Sequence, residues 1–485
     1  MNDFVVSMML LGAISSQSGQ MPFWATTNQF GIMPESSGAL ALLHAGSEYD
    51  SKHALQWHWG AGGAFRTDSY GSQFMLDEAY AGLKWKKIRI DAGMKHADQM
   101  FMAADPSLGS LGVTAGNCMM SGNARPMPGY AITVDPFNVP LTWGHLQVFG
   151  RFGDYSTIDA RYVQRPLVHN FGFGFRIKFT ERLMVSLAID NYTLWGGYSP
   201  MYGQLNVNWN NYFRVITGAK GGADAPEGDR LNSLGDHRGS QPLRLEYRAD
   251  KWTLILQHDV PYDDHSGMEY GNFPDGINTI SVSRKDKTRW ISDIVYEYAY
   301  TMFQSGDCER RLATEEEIAS GDTRLYFNEN DGKHYLLVGG ADNYCNNFEY
   351  RSGWTAFGRQ IGMPLFFSRG TNDGSWSRNG VTLGTWNNLV KAHHFGLSGS
   401  LFHKYPYRLM LTYSRNYGAW FDENMHYGRE YRFEQPLRQF SAGFTASIPM
   451  LKGALVLVPG VYFDKGYAIG SGFAATLSVK YQISK

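Results

Sequence analysis

No stretch of this 485-residue chain approaches the roughly 18 consecutive apolar residues that a membrane-spanning helix needs. A helical membrane protein is therefore excluded. Cysteine is almost missing: three in the whole chain, with no C-x-x-C pair, fit neither a zinc site nor a disulfide scaffold. Cys308 and Cys345 are either a pair formed in an oxidising compartment or two unrelated thiols, and Cys118 is left over. Net charge is missing too. Lys and Arg number 44 against 45 Asp and Glu, so there is no basic field to hold nucleic acid. There is no G-x-S-x-G elbow, no H-E-x-x-H pair and no phosphate-binding loop, so neither an enzyme nor a bound cofactor is expected.

What is present points to β structure. Aromatic residues reach 15% and glycines number 55, a mix that favours pleated strands and many turns. From Phe171 to Phe179 the odd positions read Phe, Phe, Phe, Ile, Phe, while Gly172, Gly174, Arg176 and Lys178 alternate with them. Leu477, Val479, Tyr481 and Ile483 alternate with Thr476, Ser478, Lys480 and Gln482 in the same way. This is the period of a strand with different solvents on its two faces. It recurs at Ile88–Met94, Ile294–Met302, Tyr407–Tyr413 and Phe440–Ile448, each about one spanning strand long. A soluble sandwich also alternates, but its polar faces carry more charge.

Loop lengths agree. Thr180–Arg182, Arg248–Lys251, Arg284–Thr288, His403–Pro406 and Pro449–Gly453 read as short turns on one side. Regions 191–240, 259–276, 303–350 and 416–436 read as long loops on the other, with a short helix or a charged loop at Thr314–Ser320. The expected fold class is all-β: a transmembrane antiparallel β-barrel of about 18 strands, with short periplasmic turns and long extracellular loops, integral to a Gram-negative outer membrane and in contact with its lipids. Residues 21–485 read as one barrel domain. Residues 1–20, with the apolar run Phe4–Ile14, read as the remnant of a secretory signal or as an apolar N-terminal segment.

Chemistry is sparse. Asp263, Asp264, His265 and Glu269 form the densest group of cation donors, but Ca²⁺ loops usually space their oxygens in an alternating register with a glycine at the bend, a tight acidic turn capping a hairpin explains the same residues, and no metal is expected. Ser266 and His265 are adjacent on an extended chain and point apart. The outer loops are rich in rings beside amides: Trp195, Tyr198, Tyr202, Trp209, Asn210, Asn211 and Tyr212 in one, Asn343, Tyr344, Asn346, Asn347, Tyr350 and Trp354 in another. Such sets suit carbohydrate, whose C–H faces lie on rings while its hydroxyls bond to amides and Arg359. An interfacial aromatic belt together with loop–loop packing is the alternative.

Several segments resemble the capsule assembly Wzi family of outer-membrane barrels. PFWATTNQFG (Pro22 to Gly31, with Trp24 and Asn28) is similar to the family's start, and SGNARPMPGY (Ser121 to Tyr130, with Asn123 and Pro126) to a later segment. DDHSGMEYGNFPDG (Asp263 to Gly276) follows, carrying Asp264, Ser266, Gly267, Asp275 and Gly276; then come EYAYTMFQSG and GGADNYCNNFEYRSGWTAFGRQIGMPL, which ends at Leu365. The resemblance implies a barrel of about 18 strands that binds capsular or other surface polysaccharide and helps attach or assemble it. Other outer-membrane assembly proteins would be its partners. Some members carry an N-terminal helical bundle, for which a strand-like stretch from near Ser37 leaves little room. The alternatives are a diffusion channel for oligosaccharides or small solutes, and a structural partner in an outer-membrane complex.

Overall fold

Strands with one greasy and one polar face leave two edges exposed unless the sheet closes, and closure is the solution this chain adopts. A computed structural model describes residues 4–16, 20–47, 49, 53–96, 106–114, 117–263, 267–304, 309–320, 325–328, 331–338, 342–368, 384–422 and 426–484. The barrel strands are β1 Phe4–Ser15, β2 Gly38–Ser47, β3 Leu55–Asp68, β4 Gly71–Trp85, β5 Ile88–Met94, β6 Pro128–Asn138, β7 Leu146–Ser156, β8 Leu167–Lys178 and β9 Leu183–Trp195. They continue as β10 Asp236–Arg248, β11 Trp252–Asp263, β12 Gly276–Arg284, β13 Asp293–Tyr300, β14 Val390–Leu401, β15 Tyr405–Asp422, β16 His426–Ala446, β17 Leu455–Gly466 and β18 Gly472–Ser484. Each pairs antiparallel with the next, Ile448–Met450 prolongs β16 along β17, and β1 pairs with β18 to close the ring.

The alternation read from the sequence is the inside–outside pattern of the wall. Phe171, Phe173, Phe175, Ile177 and Phe179 are exposed on the outer face of β8, as are Ile88 and Ile90 on β5 and Leu477, Tyr481 and Ile483 on β18. Together they form the apolar belt that meets lipid. Short connections at 86–87, 179–182, 249–251 and 402–404 lie at the periplasmic end, and 16–37, 95–127, 196–235 and 301–389 lie at the outer end. Of the two readings of Thr314–Ser320, the short helix is present, at Glu315–Ser320, with Thr314 Oγ1 accepting from Glu317 N at 3.3 Å.

Two expectations are corrected. Phe4–Ile14 is neither a signal remnant nor a segment apart from the barrel: it is β1, paired along its length with both neighbours. Its inward Leu11 and Ala13 pack on Ile32, Met33, Leu40, Ala64 and Met75 inside the lumen, so both faces are apolar and the alternation is erased. The stretch 416–436 is largely strand, because β15 and β16 run on to Asp422 and from His426, with register shifts after Asn416. Above the membrane both faces of a hairpin meet water, and a polar strand then reads like a loop.

Parts of the long loops, among the described residues 21–33, 111–114, 117–127 and 342–368, fold into the lumen. Trp24, Met119, Tyr344, Trp354 and Met363 join wall residues Tyr192, Ile277, Ala392, Met410 and Tyr462 in one buried cluster. A barrel of this size has room for water unless something fills it, and here the chain's own loops supply a core.

Candidate functional site

The loop core is pinned to the wall by carboxylates that accept its backbone N–H groups. Asp464 on β17 accepts from Phe23 at 2.9 Å, Asp259 on β11 from Cys118 at 2.7 Å, and Asp263 from Cys345 at 2.9 Å. Glu297 on β13 takes the Val113 N–H and, at 3.0 Å, the Thr114 hydroxyl. Asp190 on β9 accepts from Asn117 Nδ2 at 2.8 Å. Loops carry orphan backbone donors, and burying them inside a barrel requires acceptors at fixed positions. Charge-assisted bonds to rigid strands meet that need.

The loops also knit to one another. Trp354 Nε1 donates to Met119 O at 2.7 Å, Ser121 Oγ to Gly362 O at 2.6 Å, and Asn123 Nδ2 to Gln360 O at 3.1 Å. Gly362 is needed at this approach, because a Cβ there would sit 2.3 Å from Cys118 O. Arg359 donates to Asn123 O at 3.1 Å and to Thr26 O at 3.2 Å, so it ties three loops together.

This geometry divides the sequence-predicted residues. Trp24, Asn28, Asn123, Pro126 and Asp275, singled out by resemblance, are all loop-core residues: Trp24 Nε1 donates to Thr412 Oγ1 at 3.1 Å, Asn28 Nδ2 to Val113 O at 3.0 Å, and Pro126 is buried. Asp275 accepts from Phe303 N, Gln304 N and the Tyr344 hydroxyl; burial pushes its carboxyl up to about 7. Gly276 opens β12, and Gly267 lies in the 264–275 connection. Asp264, His265, Ser266 and Cys308 lie outside the described residues. Asp263 is committed to Cys345 N and faces Arg238.

Of the glycan candidates, Trp354 and Tyr344 are each 0% exposed and Asn343 is buried, so none of the three faces a ligand at the surface. Asn346 and Asn347 are committed within the structure: Asn346 Oδ1 accepts from the distant Thr385 N at 2.6 Å, and Asn347 Oδ1 serves a turn, accepting from Glu349 N and Tyr350 N. Their loop reads as a binding surface from composition and is the packed interior in space. Cys118 and Cys345 are free, buried thiols, and burial beside Asp259 and Asp263 respectively pushes both above the ordinary thiol range. Trp195 is buried against Tyr212 and Val215, with Trp209 on the same loop.

Tyr198 and Tyr202 remain exposed at the barrel mouth, on the small hairpin Gly197–Ser199 and Gly203–Leu205 that bridges to Gln164. Beside them stands a set that sequence reasoning missed. The Arg351 guanidinium lies 5.0 Å from the Tyr162 ring and 4.9 Å from the Phe348 ring, and its Nε donates to Phe348 O. Arg351 and Tyr162 are also within electrostatic reach of Tyr202. Arg161 anchors the loop below by donating to Gly353 O at 3.1 Å and Thr355 O at 3.2 Å. Glu349 is buried close by, and burial with the charges of Asp229 and Asp236 raises its carboxyl to about 8. The sequence signal was the F-E-Y-R run itself, aromatic residues interleaved with an arginine, set beside Arg161–Tyr162 only by the fold.

A second missed group lies on the inner wall. A register shift between Gly62 and Gly63 turns both Asp77 and Glu78 of β4 inward. With His96 they form a donor group whose ligand atoms lie within 4.8 Å of one another. His96 Nε2 is 2.9 Å from Asp77, and His44 Nε2 is 3.5 Å from Glu78, so histidines satisfy these carboxylates.

Comparison with known proteins follows this geometry. No protein-family model and no curated protein matches the sequence. Among solved structures the chain is similar to Wzi of Escherichia coli, an outer membrane protein involved in group 1 capsule assembly and a carbohydrate-binding β-barrel, at 12% identity and a TM-score of 0.53 over 99% of this chain and 84% of that one. It is also similar to Pseudomonas aeruginosa OpdK with vanillate, at 10% identity and TM-score 0.47 over 99% of both chains. OccK2 of the same organism, in complex with glucuronate, gives 9% and 0.47 over 99% of this chain and 98% of that one. The chain is an outer-membrane β-barrel. At these identities the likeness is one of fold.

Proposed function

We propose that this barrel binds capsular or other surface polysaccharide at its outer mouth and helps attach or assemble it at the cell surface, without catalysing a reaction. The observation that carries this reading is the ring and guanidinium set of half-buried Tyr162, Phe348 and Arg351 beside exposed Tyr198 and Tyr202, above a lumen that the loops enter. A guanidinium held between two rings presents its donors in a fixed plane suited to a sugar carboxylate, and neighbouring rings offer faces to sugar C–H groups. The E. coli barrel named above, itself carbohydrate-binding, supports the same reading. Carboxylates pinning the loops to the wall favour a binding platform over an open channel.

The test is the current through purified protein in a planar bilayer, recorded before and after adding surface polysaccharide from the protein's own cell, with retention of that polysaccharide measured on the same sample. Retention without steady current is expected. Steady current that sugar blocks would make the protein a diffusion channel and overturn the proposal.

A further inference from the structure

Leu205 of the loop 196–235 joins the lumen cluster, but the helix that follows it does not, and register shows where that helix goes. On β8 the outward row is Phe171, Phe173, Phe175, Ile177 and Phe179, so His169 and Leu167 face outward as well. On β7, Asp154 pairs with His169 and shares that face; on β9, Thr193 and Trp195 share it, being partners of His169 and Leu167. Yet His169 is 1% exposed and Thr193 and Trp195 are buried, whereas Phe171, two residues further down, is 42% exposed. Something covers the outside of the wall just above the lipid belt.

The cover is the helix Trp209–Thr217. Asn208 caps it, accepting from Asn211 N, and Gly218 in the left-handed region ends it. Tyr212 reaches down to Asp154, its hydroxyl donating at 2.7 Å, and its ring stands edge-on to His169 at 5.6 Å. Val215 packs on Trp195 and Leu234. With Asn211, Tyr212 and Val215 toward the wall, the helical period turns Trp209 and Phe213 away from it, where they are 75% and 61% exposed. Phe171 to Phe179 covers about 20 Å of membrane height at a ~3.4 Å rise and the usual strand tilt, so the helix sits at the top of the belt, where acyl chains meet headgroups.

We infer that this helix is an interfacial anchor: Trp209 and Phe213 enter the outer leaflet, and the lipid is their partner. The exposed rings continue the lipid-facing surface of β8, and exposed Lys220, just past the helix end, suits the phosphate of a headgroup. The inference does not depend on the proposed function. It also removes Trp209 and Trp195 from the glycan surface.

The test uses the full chain carrying Cys308→Ser, in which Cys118 and Cys345 are buried, with Phe213→Cys labelled by a small environment-sensitive fluorophore. The barrel is reconstituted in phosphatidylcholine vesicles brominated on the acyl chain near the headgroup, and aqueous iodide is the opposing quencher. Asp250→Cys, on an exposed periplasmic turn, is the water-side control. Loss of emission to brominated lipid with protection from iodide is expected at 213, and the reverse at 250. If position 213 behaves like position 250, the helix stands in water and the inference is overturned. Resistance of both variants to SDS until heated confirms folding in either case.

Discussion

Replacing Glu297 by Ala removes one wall carboxylate from the interface between loop core and barrel. The side chain accepts two groups of the loop 95–127, the Val113 N–H and the Thr114 hydroxyl at 3.0 Å. Both donors are buried and are left unsatisfied, which costs about 1–3 kcal/mol each. Loss of about 2–6 kcal/mol in all raises the population of the locally undocked loop by roughly 30- to 20,000-fold, at about 1.4 kcal/mol per tenfold. The barrel ladder is untouched, because β13 keeps its backbone bonds to β12 and β14. The assay is hydrogen exchange of residues 106–127 with parallel bilayer recording: faster exchange in that segment and brief current bursts are expected, with strand exchange unchanged. Equal protection and equal current in variant and parent would refute the pinning argument.

Other consequences follow from the same structure. Trp354→Ala empties a fully buried site and frees Met119 O, so it should destabilise the loop core by about 3–5 kcal/mol and make 301–389 sensitive to protease, while the barrel stays SDS-resistant. Phe173→Arg puts a charge on the lipid face near the middle of the belt and should cost about 2–4 kcal/mol, read as a lowered urea midpoint in vesicles. Glu349, raised to about 8, is held neutral in the fold; its favourable contribution is complete below the ordinary carboxylate value and is lost as pH rises through about 8. Protection of 347–352, after division by the base-catalysed exchange rate of the open chain, should therefore fall from pH 6 to pH 9, and Glu349→Gln should flatten that dependence.

How much of this was legible depended on whether a residue's role showed in its neighbours along the chain. The row from Phe171 to Phe179 announced a barrel strand because lipid and lumen differ, and the short turns at Thr180–Arg182 and Arg248–Lys251 set the parity of the loops. β1 escaped because Leu11 and Ala13 bury an apolar lumen face, and the inward turn of both Asp77 and Glu78 depends on a register shift that no local pattern marks. The pairings inside the loop core were hidden for a different reason. Its bonds join residues such as Trp354 and Met119, or Phe23 and Asp464, across hundreds of positions, and an aromatic, amide-rich segment has the same composition whether it faces water or packs inside a barrel. The geometry shows what Trp24, Asn28 and Asn123, in the segments quoted for the resemblance, do in this chain: they hold loops in place.

The most direct test of the account is a binding isotherm of the protein's own surface polysaccharide on the purified barrel, run for the parent and for Arg351→Ala. Saturable binding to the parent that weakens at least tenfold in the variant, about 1.4 kcal/mol for one lost charge-assisted contact, is predicted. No binding to the parent, or equal binding to both, would contradict the claim that the outer mouth at Tyr162, Phe348 and Arg351 is where this barrel meets its glycan.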